Sequence, residues 1–492
     1  MTTLVPRKPY TDEELTKLYP PNLELQLVQV LMRHGERTPV NARFENTGLP
    51  AYWPYCSSVR KLISPILTPS ADDPSNPKLS TIEWNRRLET FSNKSDAPVL
   101  AAGPSSPHSP DNICDMGTLT DLGRTTTYNL GTRLRNLYIN RLAFLPPAIT
   151  PTTPTSSTFY LRTTPVPRAL ESLQQTFSAL YPPHTRDPTV PRPTIVTRIH
   201  ADETLYPNDG NCRRFAELSR LFAQVAANKW NNTKEMDYLN SLYGKYMPDT
   251  AARVAVDSRP RLSGIMDTIN ATLAHGPETK LPDAFYDEKG REIAEKIGVE
   301  EWFGGYNESR EYRMLGIGGL LGDLVGRMVG SVEKKEGIKF GLHGCHDTTL
   351  AGVLMGLGAY GADKWPPFTS HIAVEMFREA EKVEKSKGWW DSLVGSGAGG
   401  GEIGRRSTEE LSENEKKKLE GFYVRLRYND EPVTIPGCKK PGSHLEGDES
   451  FCTLAAFKEI VDKFTPKNWK QQCRMNKGRP PTPTGEPEWA GH

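Results

Sequence analysis

Two arginines flank a histidine in Arg33-His34-Gly35-Glu36-Arg37, directly after an apolar run that includes Leu25, Val28, Val30, Leu31 and Met32. The run is rich in strand formers and polarity changes abruptly at Arg33, which predicts a buried strand with Arg33, His34 and Arg37 at its carboxyl end. Ligands of open α/β sheets collect outside such ends, and guanidinium groups there suit an anion, a phosphoryl group first of all. Toward the other end of the chain, Ile338 to Leu342 reads as an apolar strand that runs into His346 and Asp347, with Asp347 or Thr348 able to cap the next helix. A histidine and a carboxyl group at that position are what phosphoryl transfer to His34 would need. A further strand, Thr158 to Leu161, stops at Arg162, again a cation where a strand hands over to a helix.

Arg33 to Pro39, RHGERTP, fits the RHGxRxP motif of the histidine acid phosphatases, a branch of the phosphoglycerate-mutase-like superfamily, and His346-Asp347 completes that family's bipartite motif. GTLTDLGRTTTYNLGTRLR at Gly117 to Arg135 resembles the family's G-x-L-T-x-x-G helix start, and PPFTSHIAVEMF at Pro366 to Phe377 its PP-x-x-S…E strand. LRTTPVPRALES parallels its R-S-T-x-x-x-R segment, whose first arginine binds phosphate. TLYPNDGNCRRF at Thr204 to Phe215 resembles the entry into the cap of prostatic-type acid phosphatases.

The resemblance implies a phosphomonoesterase that uses no metal or cofactor and passes through a phosphohistidine. His34 would be the nucleophile and Asp347 the general acid, while Arg33, Arg37, Arg162 and His346 would hold the phosphate oxygens. Arg168 matches the second arginine of the segment and, placed inside a helix, is assigned a structural role; Glu36 is assigned to the rim. A general acid beside a dianionic substrate predicts an acidic optimum. Phytase-like and lysophosphatidic-acid-phosphatase-like specificities both fit, since cap residues decide between them. A phosphomutase fits the Arg-His-Gly element but not the following RTP or the His-Asp pair, and an idle phospholigand-binding protein is the alternative from another class.

These residues require an α/β core, a mixed, mostly parallel sheet flanked by helices, with a helical cap inserted. Core residues fall at 23–202 and 313–473, with loop insertions at 42–115 and 383–420, the second charged and glycine-rich enough to be disordered. Residues 1–22 form an arm packed on the core, 203–312 the mostly helical cap, and 474–492 a proline-rich flexible tail. A helix starts at the Thr120 N-cap with Leu130, Leu134 and Leu137 on one face, and another follows Pro165 and Pro167 with Leu170, Leu173, Phe177 and Leu180. Thr194 to Ile199 reads as a short strand, and Phe422 to Tyr428 with Glu431 to Ile435 as a hairpin turning at Asn429 and Asp430. Gly318, Gly322, Gly326 and Gly330 make a glycine ridge, read as close packing of a core helix rather than a membrane dimer face or a dinucleotide loop.

At 492 residues the chain exceeds the ~250 to 300 residues at which single cores stop growing. A net charge of +1 gives no case for nucleic-acid or membrane-surface binding, so the expected partner is a small phosphorylated substrate, and oligomeric state is not readable. No window approaches an uninterrupted apolar span, so a soluble protein without stable membrane insertion is expected. The first residues lack an apolar signal region, which predicts a cytoplasmic location unless a leader precedes them. Seven cysteines show no zinc spacing, and His343 with His346 has no third ligand nearby. By the same family resemblance Cys438 pairs with Cys452 and Cys212 with Cys473, which conflicts with a reducing compartment.

Overall fold

The computed structural model describes the chain except residues 1–2, 70–72, 74, 93–94, 103–109, 155–157, 249–252, 335–336, 360–363, 381–402 and 482–485. The 383–420 expectation therefore falls largely outside the described residues, but 403–420 holds short helical turns whose Ile403, Leu411 and Leu419 are buried.

Thirteen strands are described: β1 (Leu23–Arg33), β2 (Lys61–Thr68), β3 (Lys78–Asn85), β4 (Glu89–Ser92), β5 (Ser95–Leu100), β6 (Phe159–Thr163), β7 (Ile195–Val196), β8 (Phe340–Cys345), β9 (His371–Glu379), β10 (Phe422–Tyr428), β11 (Glu431–Val433), β12 (His444–Leu445) and β13 (Asp448–Thr453). The main sheet runs β12-β13-β10-β9-β1-β8-β6-β7, with β11 beside β10. β1, β8, β6 and β7 are parallel, and antiparallel strands extend the sheet from β9 outward. β1 is buried on both faces because it is apolar on both: Leu27 and Leu31 join the core under the helices Gly319–Lys334, Asp347–Gly356 and Leu454–Asp462, while Val28, Val30 and Met32 join the core under Asp121–Arg135 and Pro167–Leu180.

The Thr120 cap forms as expected, its Oγ1 accepting from Gly123 N at 3.3 Å. Here glycine is required: a Cβ on Gly35 would lie 2.3 Å from Gly123 O, and one on Gly123 2.2 Å from Glu36 O. The helix start thus lies backbone to backbone against the catalytic-loop candidate. The glycine ridge is only half used. A Cβ on Gly318 would lie 2.1 Å from Phe464 O and one on Gly322 2.7 Å from Thr465 Cγ2, whereas one on Gly330 would meet open space. The run Arg310–Glu333 is long and apolar enough to cross a membrane by length and composition, but most of it is buried inside the core.

The helices Arg213–Trp230, Lys234–Tyr243, Leu262–Ala274 and Glu288–Glu308 form the cap, and Phe44, Leu49 and Trp53 are buried in its core. Residues 42–115 are therefore not one loose excursion. Their first part is cap, a Cys56–Cys114 disulfide ties the base of the rest, and β2–β3 and β4–β5 pair as antiparallel ladders between. The sequence reading missed that bond; it anticipated Cys212–Cys473 and Cys438–Cys452, and both are present. The described residues of the tail are not loose either. Arg214 donates to Arg479 O and Pro480 O, Arg313 to Glu488 O, and Ala490 is 5 % exposed. Buried guanidiniums need acceptors, and backbone carbonyls of a proline-rich segment, unused in helix or sheet, supply them.

Candidate active site

β1 and β8 end side by side, Arg33 opposite Cys345, and His34 N donates to Cys345 O at 3.1 Å. The next residue on each strand is a histidine, so the rings of His34 and His346 meet at 5.5 Å between centroids. Both border a cavity of about 520 Å³ together with Arg37, Arg168 and Asp347.

His34 Nδ1 lies 2.9 Å from Gly35 O. A carbonyl only accepts, so Nδ1 carries the proton and Nε2 keeps its lone pair. Burial, and then the charges of Arg168, Arg33, Arg37 and His346, hold the His34 pKa well below the ordinary histidine value. The ring is held in its neutral form, with Nε2 unprotonated.

Asp347 opens the helix Asp347–Gly356. Its Oδ2 accepts from Trp365 Nε1 at 2.9 Å and forms an ion pair with Arg33 Nη2 at 2.8 Å, and its Oδ1 accepts from Thr348 N at 2.8 Å. Burial opposes ionisation, but Arg33, the indole hydrogen bond and Arg37 outweigh it and keep the carboxyl below the usual range. His346 Nε2 contacts Thr164 Oγ1 at 3.0 Å, and burial followed by Arg168 keeps its ring neutral. Arg33 lies over Phe368 at 4.1 Å and donates to Pro366 O. Arg37 donates to Asp267 Oδ1 at 2.8 Å, from the cap helix Leu262–Ala274, and Asp267 also receives Arg43.

Arg162 does not reach this cavity. It is fully buried, with Nη2 2.6 Å from Glu203 Oε1 and Nη1 3.5 Å from Asp323 Oδ2, so its charge is already neutralised inside the protein. The cation the segment contributes is Arg168. Pro167 is the first residue of its helix, which puts Arg168 in the first turn, at the end facing the site, rather than in the helix interior. Burial, then Arg37, lowers its pKa to about 10. Cations crowded to that degree with unfilled donors suit an incoming anion. Glu36 is not at the rim: it is fully buried and accepts from Thr126, while its carbonyl receives Thr120. Asp267, Thr164 and Trp365 carried no local signal. Among the described residues no group of three or more His, Cys, Asp or Glu could hold a metal ion.

The histidine phosphatase superfamily (branch 2) model matches residues 24–429. A Schizosaccharomyces pombe protein named "Probable acid phosphatase" is 35% identical over 479 residues, 93% of this chain and 95% of that one. Human lysophosphatidic acid phosphatase type 6 is 25% identical, covering 75% of this chain and 77% of its own. The Hafnia alvei phytase apo form superposes with a TM-score of 0.52 at 12% identity, over 93% of this chain and 100% of the phytase, which is a likeness of fold. With its strand-end histidines and arginines in the matched span, the chain belongs to branch 2 of the histidine phosphatase superfamily.

Proposed function

We propose that this enzyme is an acid phosphatase that hydrolyses phosphomonoesters through a phosphohistidine on His34. The single observation that carries the proposal is the His34 Nδ1 contact with Gly35 O, which presents a neutral Nε2 to a cavity lined by Arg37 and Arg168. Nε2 attacks phosphorus while the bond to the ester oxygen breaks, and Asp347 gives that oxygen its proton. Arg33, Arg37, Arg168 and His346 surround the transferring group. Water then attacks phosphorus, the P–N bond breaks back to Nε2, and Asp347 takes up the water proton. Asp347 is ionised at rest because Arg33 faces it; a phosphate dianion that draws on Arg33 weakens that hold and raises its pKa, so the acidic optimum is a property of the complex. Hydrolysis of glycerol phosphate, whose alkoxide leaving group needs a proton, across pH 4 to 8 with and without EDTA tests this. Acid-favoured, chelator-insensitive turnover that is lost in His34→Ala is expected, and phosphate binding without turnover in the intact protein would mean an idle binding protein.

Beyond the phosphate subsite, the wall sets Arg220 and Arg261 against Asp209 and Glu301 and is otherwise rich in aromatic rings, Trp302 and Tyr306 among them. With Glu301 uncharged at acid pH the wall keeps at most one net positive charge, and its aromatic rings favour a monophosphate on a bulky apolar group, as in lysophosphatidic acid, over a polyphosphorylated inositol. Turnover of inositol hexakisphosphate with a higher kcat/KM than that of a lysophosphatidic acid would refute it. The three disulfides support folding in an oxidising compartment, so we place the enzyme outside the cytoplasm.

A further inference from the structure

The residues that hold Asp347 divide its two oxygens unequally. Oδ2 accepts the Trp365 Nε1 hydrogen bond at 2.9 Å and stands 2.8 Å from Arg33 Nη2 in an ion pair. Among the described residues Oδ1 accepts from the backbone alone, Thr348 N at 2.8 Å. A proton avoids the oxygen that faces a guanidinium charge, so the ion pair and the indole bond leave Oδ1 the more basic oxygen.

Trp365 is itself held from two sides. Its backbone N donates to Glu295 Oε1 at 3.0 Å, and its ring packs on Phe303 at 4.7 Å and on Trp302 at 6.1 Å between centroids, all three on the cap helix Glu288–Glu308. The residues after it carry the other half of the grip, with Pro366 O and the Phe368 ring both engaging Arg33. One short segment thus fixes the carboxyl group and the cation beside it, and anchors both to the cap.

We propose that Trp365 is the positioning residue for the general acid: its indole N–H, held by the cap, bonds Oδ2 of Asp347 on the side of the Arg33 ion pair, so that the catalytic proton resides on Oδ1 and is delivered from it. This rests on Asp347 acting as the acid. In the transfer, the Oδ1–H bond breaks and an O–H bond forms on the ester oxygen as the P–O bond breaks and P–Nε2 forms. The groups facing the carboxyl are Arg33 and Arg37 from the β1 loop, Arg168 from the helix Pro167–Leu180, His346 from its own helix start and Trp365 from the loop before β9. Of these the indole is a neutral group that donates to the carboxylate itself, so removing its N–H changes Asp347 without removing charge from the phosphate site.

The test uses Trp365→Phe and, because a smaller ring also trims the cap contact, 3-benzothienylalanine at position 365, which keeps the indole outline and replaces N–H by sulfur. The single-turnover rate of enzyme phosphorylation at saturating glycerol phosphate is followed against pH, beside p-nitrophenyl phosphate and inhibition by inorganic phosphate. Loss of a donor to the carboxylate raises the pKa of Asp347 in the complex. The alkaline limb with glycerol phosphate should move up by about one pH unit, the equivalent of one hydrogen bond to a charged group. The rate with glycerol phosphate at the optimum should fall about tenfold as the proton loses its fixed site, with little change for p-nitrophenyl phosphate, whose leaving oxygen needs no proton, or for phosphate inhibition. An unmoved limb in the benzothienyl variant would overturn the proposal while leaving the acid role of Asp347 standing, provided Asp347→Asn still loses glycerol phosphate turnover selectively. Full glycerol phosphate turnover in Asp347→Asn would overturn both.

Discussion

Replacing Arg162 and Arg168 separately by methionine, which keeps the stem and removes the charge, should have opposite consequences. Arg162 has no exposed surface and pairs with Glu203, which has none either. Glu203 Oε1 also receives Thr204 N and Leu205 N at 2.8 and 2.7 Å, so the carboxylate is fixed in place and cannot move to water. Breaking a buried pair by removing one partner costs about 3 to 5 kcal/mol, because the other charge stays buried. Arg162→Met should lose that much in chemical denaturation, while the Ki for inorganic phosphate of the folded fraction is unchanged. Arg168 is the reverse case. With its folded pKa lowered to about 10 and the unfolded value near 12.5, its charged form is disfavoured by folding, by about 3 kcal/mol at any pH below both. Arg168→Met should therefore be neutral or stabilising, and should raise the phosphate Ki about 10- to 150-fold, the equivalent of one or two charge-assisted hydrogen bonds. A weakened Ki in Arg162→Met at unchanged stability, with an unaffected Ki in Arg168→Met, would reverse the assignment of the third arginine.

Under denaturing, non-reducing conditions the native protein should react with one equivalent of thiol reagent, at Cys345, and with seven after reduction; three or more thiols before reduction would contradict the bonded arrangement. Glu375 is buried, and Arg427 and Arg425 overcome that burial to lower its pKa to about 2. A depressed folded value gives stability that is present above the unfolded pKa near 4.5 and lost as pH falls toward 2, so the contribution of Glu375 to Tm should be constant from pH 7 to about 5.5 and decline below. Glu375→Gln should flatten that decline. Glu301 has the opposite sign: burial raises its pKa to about 7 despite Arg261, so folding opposes its ionisation once the pH exceeds the unfolded value. Glu301→Gln should leave Tm unchanged near pH 4 and raise it at pH 7.5, by up to about 3 kcal/mol in stability; equal effects at both pH values would contradict the buried, unionised carboxyl.

What could be read in the chain was what neighbouring residues determine. The end of β1 was visible because an apolar run stops at Arg33, the helix at Asp121 because Thr120 caps it, and the hairpin at Asn429-Asp430 because both residues take positive φ, which asparagine and aspartate tolerate. Partners supplied from far along the chain left no such trace. Asp267 meets Arg37 across 230 residues, and Cys56 meets Cys114 across 58. The exchange of Arg162 for Arg168 has this origin. Both stand where a strand gives way to a helix, and a cation in that position is a ligand-binding group only if the protein has not already supplied its anion. Glu203 and Asp323 supply it for Arg162, whereas Arg168 borders the cavity with its charge raised in energy by Arg37. The same criterion applies at Arg37 and Arg33, which Asp267 and Asp347 engage at 2.8 Å without closing the cavity to either Arg37 or Asp347. A carboxylate beside each of these two arginines offsets its charge, and an entering phosphate dianion must compete with it. For Arg33 the displaced partner is Asp347 itself, so substrate binding is coupled to protonation of the group that must next give up its proton.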